Sequence, residues 1–149
     1  MLKDSLDALC ALIVSKFPEI QTIYTNTMPE PFKRPSFFVM LATNYSDDLC
    51  KTLYRTGITW QIVYFAPLEK GNWPDSYNQL EANDTLQTAL MEAMTLTGPS
   101  GVVYHILDVE GGPRDNEVYI TVRLEAEQRR PETTYDLIST VEHVLKEGN

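Results

Sequence analysis

Apolar residues recur at helical spacing in two segments of the chain. Over residues 2–17 they fall every three or four positions, and Pro18 ends the run, so the pattern predicts an amphipathic helix. A second helix is predicted over residues 76–95, capped by Asp75 or Ser76. The apolar positions are Leu2, Leu6, Leu9, Cys10, Ile13, Val14 and Phe17 in the first helix and Leu80, Leu86, Leu90 and Met94 in the second.

Extended segments lie between the two helices. Residues 19–25 and 36–43 predict two strands, and a third, long extended stretch is predicted from Asp48 to Phe65. Apolar and aromatic residues occupy alternate positions of this stretch, which predicts one buried face, and we expect Trp60, Ile62 and Tyr64 in the core. Gly57 within it predicts either a bulge or a close backbone approach.

Two further strands complete the predicted fold. Residues 102–109 and 117–126 predict a hairpin. The order is α-β-β-β-α-β-β plus a C-terminal helical segment. We therefore predict an α+β fold, with a mainly antiparallel sheet of about four to five strands and two helices packed on one face. Residues 1–126 are predicted as a single domain, and residues 127–149 as a polar extension with a short amphipathic helix.

A proline-rich segment, residues 29–35, precedes the second predicted strand. Three prolines in seven residues exclude a helix and a central strand, because each lacks an N–H and biases its predecessor toward extended geometry. Phe32, Lys33 and Arg34 are therefore expected on a stiff, cationic elbow. A rigid loop that enters a strand and a contact for a partner are both compatible with this pattern.

The charge of the chain is concentrated in its second half. The net charge is −9, and residues 1–74 contribute none of it, because their acidic and basic residues are equal in number. No basic stripe is present, so direct sequence-specific binding of nucleic acid is not expected. No apolar run is long enough for a membrane span and no signal pattern opens the chain, so we expect neither membrane association nor export.

Residues suited to catalysis are few and scattered. The chain has two histidines, and it lacks the glycine-rich phosphate loops and the calcium-loop pattern. Cys10 and Cys50 lack zinc spacing, and nothing favours a dyad of Cys50 with His105. We predict a protein that is not an enzyme and has no cofactor. Trp73 lies on a loop, either as a lid over the second helix or as an anchor for a partner.

The run Pro-Glu-Pro-Phe-Lys-Arg-Pro-Ser-Phe-Phe-Val at residues 29–39 resembles the small tail terminator proteins of tailed phages and phage-like prophage elements. The resemblance covers residues 1–126. It implies a compact α+β subunit that assembles as a ring, usually a hexamer. Such a ring caps the tail tube, ends its polymerisation and offers a surface for head-tail joining. The implied partners are further copies of the chain, the tail tube protein and a head-tail connector or stopper protein.

A closed ring requires an interface between two different patches of the subunit. We expect residues 48–58 to extend beyond what strand 36–43 can pair, and to cross to a neighbouring subunit. The predicted partner-binding residues are Phe32, Lys33, Arg34, Leu49, Leu53, Tyr54 and Trp73.

Two alternatives to a tail terminator remain open. One is another neck or head-completion protein, which shares the ring but not the contact with the tube. The other is an unrelated small α+β binding module or enzyme. For a terminator, the expected location is the virion tail or neck, with assembly in the host cytoplasm.

Overall fold

Two helices and one six-stranded sheet make up the described part of the chain, residues 1–25 and 27–131 of a computed structural model. The elements in chain order are α1 (Leu2–Lys16), β1 (Ile23–Tyr24), β2 (Ser36–Asp48), β3 (Leu53–Phe65), α2 (Ser76–Ala93), β4 (Thr95–Thr97), β5 (Val103–Arg114) and β6 (Glu117–Arg129).

The helices lie where the apolar periodicity predicts them. At the start of α2, the carboxylate of Asp75 accepts a hydrogen bond from the backbone N–H of Asn78 at 3.1 Å, which satisfies one of the N–H groups that a helix leaves free at its first turn. At its end, Met94 takes a φ of 64° and turns the chain directly into β4.

The sheet differs from the predicted one. Its order is β1-β2-β3-β6-β5-β4, and it is mixed, because β1 runs parallel to β2. The prediction of a mainly antiparallel sheet of four to five strands is therefore wrong: six strands form a mixed sheet that curls into a half-barrel. The missed strand, β4, has three residues, too few to show a period, and sequence does not reveal the direction of two-residue β1. The predicted C-terminal helix lies outside the described residues.

Strands β2 and β3 form one long hairpin. β2 continues to Asp48, a turn follows at residues 49–52, and β3 begins only at Leu53. Consequently β3 is paired with β2 on one side and with β6 on the other from Tyr54 to Tyr64. The expectation that residues 48–58 form an unpaired stretch is wrong, because β2 is longer than predicted.

One apolar core lies between the helices and the inner face of the sheet, which is the face that they cover. The predicted burial of Trp60, Ile62 and Tyr64 is confirmed. The Trp60 indole donates a hydrogen bond to the buried Ser5 hydroxyl of α1 at 3.0 Å. Other core residues are Leu9, Ile13, Phe37, Val39, Ile58, Leu86, Leu90, Tyr104, Val118, Ile120, Val122 and Leu124.

A carboxylate fastens α1 to the turn between β4 and β5. Asp4 accepts hydrogen bonds from the Ser100 backbone N–H at 2.9 Å, the Ser100 hydroxyl at 2.8 Å and the Tyr104 hydroxyl at 2.8 Å. A Cβ on Gly98 would overlap this carboxylate, so the turn needs glycine there. We call these contacts the Asp4 clamp. Because Asp4 and Ser100 are far apart in sequence, the clamp joins the first helix to the second half of the subunit.

The Asp4 clamp predicts an acid-sensitive part of the stability. Desolvation opposes ionisation, but the hydrogen bonds from Ser100 and Tyr104 outweigh it and lower the pKa of Asp4. A carboxyl with a lowered folded-state pKa contributes stability above its unfolded-state pKa, and this contribution is lost as pH falls through the folded-state pKa. We expect Asp4→Asn to be less stable than the wild type at neutral pH, and the difference to shrink below about pH 4.

Urea midpoints measured from neutral to acidic pH check this expectation. Asp7→Asn is the matched control, because Asp7 lies on the same helix but pairs only with exposed Lys3. A difference between wild type and Asp4→Asn that is constant with pH would show that the charge of Asp4 does not hold the clamp.

Candidate partner-binding surfaces

The elbow, residues 29–35, folds back onto the end of β3. The ring centroids of Phe32 and Phe65 are 4.7 Å apart. The Arg34 guanidinium lies over both rings, 5.1 Å and 5.7 Å from their centroids, and donates to the Ala66 carbonyl oxygen at 3.0 Å. Phe32 and Arg34 are half-buried. They are therefore held within the subunit by contacts that the sequence pattern did not reveal.

Lys33 is the exposed member of the predicted trio. Its backbone N–H donates to the Tyr24 hydroxyl at 3.2 Å, which holds the main chain while the ammonium group faces solvent. The elbow thus offers a partner one exposed cationic side chain on a backbone that a hydrogen bond holds.

Trp73 lies on the loop, residues 66–75, between β3 and α2, and backbone hydrogen bonds cross this loop. The Glu69 N–H donates to the Trp73 carbonyl at 2.7 Å, and the Asp75 N–H donates to the Pro67 carbonyl at 3.0 Å. Trp73 is 68% exposed, so it does not form a lid over α2.

Three further apolar side chains surround Trp73 in the sequence and are exposed: Leu68, Tyr77 and Leu80. We call the four residues the Trp73 surface. Tyr77 is 85% exposed, and nothing in the helical pattern singled it out. Leu80 was predicted in the buried stripe, but the buried face of α2 is centred on Gln79, Leu86 and Leu90, and Leu80 points away from it.

The elbow and the Trp73 surface lie at the same end of β3. Arg34 binds the carbonyl of Ala66, the residue that opens the Trp73 loop. β3 spans about 40 Å, so this end, the elbow end, is far from the turn at residues 49–52, the tip end.

The tip end contains the other predicted partner-binding residues. Leu49 is exposed, whereas Leu53 and Tyr54 are half-buried. The Tyr54 hydroxyl donates to the Gln128 side-chain oxygen at 2.5 Å. Tyr54 is therefore engaged within its own subunit.

Arg130 fastens the tip, a role that the sequence did not reveal. Its guanidinium donates to the carbonyl of Cys50 at 2.6 Å and contacts the carboxylate of Asp48. The guanidinium carbon lies 5.6 Å from the centroid of the Tyr54 ring, and the backbone N–H donates to the Thr52 carbonyl at 2.8 Å. The end of β6 thus locks the β2–β3 turn.

The cysteines and His105 do not converge on one site. Desolvation and the charge of Asp7 raise the pKa of half-buried Cys10 to about 11, so its thiol stays protonated at neutral pH. Cys50 lies in the β2–β3 turn, whereas His105 pairs with β4. Within residues 1–25 and 27–131, no group of His, Cys, Asp and Glu is arranged to hold a metal ion. None of the described helices is long and apolar enough to cross a membrane.

Comparison with known families gives one match. A family model described as "Phage tail terminator protein" matches residues 5–136, which is most of the chain. No curated protein matches. The match bears out the family resemblance carried by the elbow sequence, and it removes the alternative of an unrelated module.

Adjacent cationic residues of the elbow are predicted to differ in their effect on stability. Arg34→Ala removes a hydrogen bond to a carbonyl and two aromatic contacts, and we expect it to lower the free energy of unfolding by about 1–2 kcal/mol. Lys33→Ala removes an exposed side chain and should change it by less than about 0.5 kcal/mol. Urea denaturation measures both, and equal effects would contradict the observed packing of Arg34.

Proposed function

The chain belongs to the phage tail terminator family, and from this membership we propose that it caps the phage tail tube as a ring of six copies. The ring ends tube polymerisation and forms the tail-side surface for head-tail joining. Its partners are further copies of itself, the tail tube protein and a head-tail connector or stopper protein. It is a structural component of the virion tail that assembles in the host cytoplasm.

The observation that best supports this proposal is that two of the predicted partner-binding residues are exposed together at the elbow end. Lys33 and Trp73 are exposed there on backbones fixed by hydrogen bonds. Binding to such a surface costs little conformational entropy, and Trp and Tyr side chains contribute strongly to protein interfaces. We assign the elbow end to the tail tube protein, because its exposed aromatic area suits a permanent contact.

The tip end is then free to face the connector. It lies at the other end of β3, and Arg130 holds its turn in one conformation. A subunit whose strands run roughly along the ring axis would present one end to the tube and the other to the head.

Truncating two aromatic residues of the Trp73 surface should impair termination of the tail tube without affecting the folding of the subunit. We expect Trp73→Ala combined with Tyr77→Ala to leave the thermal midpoint nearly unchanged, because both side chains are exposed. Tails of uncontrolled length should result, since truncating interface aromatics typically costs ~2 kcal/mol or more of binding energy each. Electron microscopy of tails from complemented lysates measures their length.

Val14→Ala is the control, because Val14 is an exposed apolar residue on α1. Tails of normal length that fail to join heads would show that the Trp73 surface binds the connector and not the tail tube. Tails of normal length that join heads normally would refute a partner role for this surface.

A further inference from the structure

Both sides of the sheet have open strand edges. Among the residues that the structure describes, β1 pairs with β2 only at Phe37 and Phe38, so residues 40–48 have a neighbouring strand on one side only, which is β3. On the opposite side of the described sheet, β4 covers only the start of β5, and residues 108–114 are paired with β6 alone. An open edge exposes unpaired backbone N–H and C=O groups, which attract another chain unless they are protected.

Each open edge carries exposed apolar side chains. We call residues 40–48 the β2 edge, and β4, residues 106–114 and the end of α2 the β4–β5 edge. Tyr45 on the first is 48% exposed, and Met94 on the second is 71% exposed. The Ile106 N–H donates to the Met94 carbonyl at 2.9 Å, which joins the end of α2 to β5. The exposed apolar residues are Met40, Leu41 and Tyr45 on the β2 edge, and Met91, Met94 and Leu107 on the β4–β5 edge.

The β2 edge is held in place by its neighbour. Arg55 of β3 binds Asp47 through two hydrogen bonds, at 3.1 Å and 3.2 Å. The Tyr45 ring covers Gly57 so closely that a Cβ there would overlap the ring. The β2 edge is therefore an ordered surface before any partner arrives.

Arginines offset part of the negative charge at the two edges. Four acidic side chains there lie within 4.0 Å of three arginines of the same subunit, and Arg123 is shared by two of them. The pairs are Asp47–Arg55, Asp48–Arg130, Asp108–Arg123 and Glu110–Arg123.

We propose that the β2 edge of one copy of this chain packs against the β4–β5 edge of the next copy. The two edges are different patches on opposite sides of one sheet, and contact between different patches generates a head-to-tail series that can close into a ring. A second copy covers both edges at once, whereas a foreign strand on one edge leaves the other open. The inference rests on the proposed ring and names its interface.

Mixing two edge variants tests the proposal. The β2-edge variant carries Met40→Lys and Leu41→Lys, and the β4–β5-edge variant carries Met91→Lys and Leu107→Lys. Each alone should fail to form rings. A mixture should form dimers and nothing larger, because each variant keeps one intact edge and the two intact edges are complementary. Sedimentation velocity is run with and without purified tail tubes, so that a ring that forms only on a tube is also detected.

The possible outcomes distinguish a wrong interface from the absence of a ring. A ring formed by either variant alone overturns the edge interface and leaves the ring itself in place. Self-dimers of one variant, or a mixture that stays monomeric, also overturn it, because the contact would then not join these two edges. A wild type that forms no ring even on tubes overturns the proposed function as well.

A control variant separates charge from position. Ala11→Lys with Val14→Lys adds the same charge at exposed positions of α1, which belongs to neither edge, and it should form rings like the wild type. If this control also fails to form rings, the added charge and not its position explains the loss of rings in the edge variants, and the inference is overturned. Near-UV circular dichroism confirms folding, and Leu41→Ser and Leu107→Ser replace the lysine variants if these unfold.

Discussion

The pairing of β3 on both sides is the constraint on which the rest of the structure depends. This strand joins β2 to β6 over nearly its whole length, and its inner face supplies Trp60 and Ile62 to the core under the helices. It also connects the elbow end to the tip end. A surface at one end therefore has a fixed distance and direction from a surface at the other, which the proposed contacts with two different partners would require.

Two clamps hold the remaining elements to this central strand. Asp4 ties α1 to the turn before β5, and Arg130 ties the end of β6 to the β2–β3 turn. Each joins segments distant in sequence through charge-assisted hydrogen bonds, which are stronger than neutral ones. The hairpin tip, which is largely exposed, is consequently held in place, and the Asp4 contacts add to the apolar packing of the first helix.

The sequence pattern predicted the features that depend on residues close together in the chain. The period of α1 and the alternation around Trp60 in β3 are properties of neighbouring residues, and both were correct. The missed features depend on residues distant in sequence. Nothing near Arg34 indicates Phe65 as its neighbour, and β4 is too short to show a pattern. The family resemblance came from the elbow sequence, but the exposure of Tyr77 and the open edges required the packed structure.

The fit of Tyr45 over Gly57 has a consequence for how related sequences diverge. The two residues are partners across β2 and β3, and the aromatic ring occupies the space that any larger residue at position 57 would need. Substitutions at the two positions should therefore not be independent. A lineage that acquires a side chain at 57 must move the ring at 45 aside or replace it with a smaller residue, so glycine at 57 and an aromatic residue at 45 are expected to be inherited together.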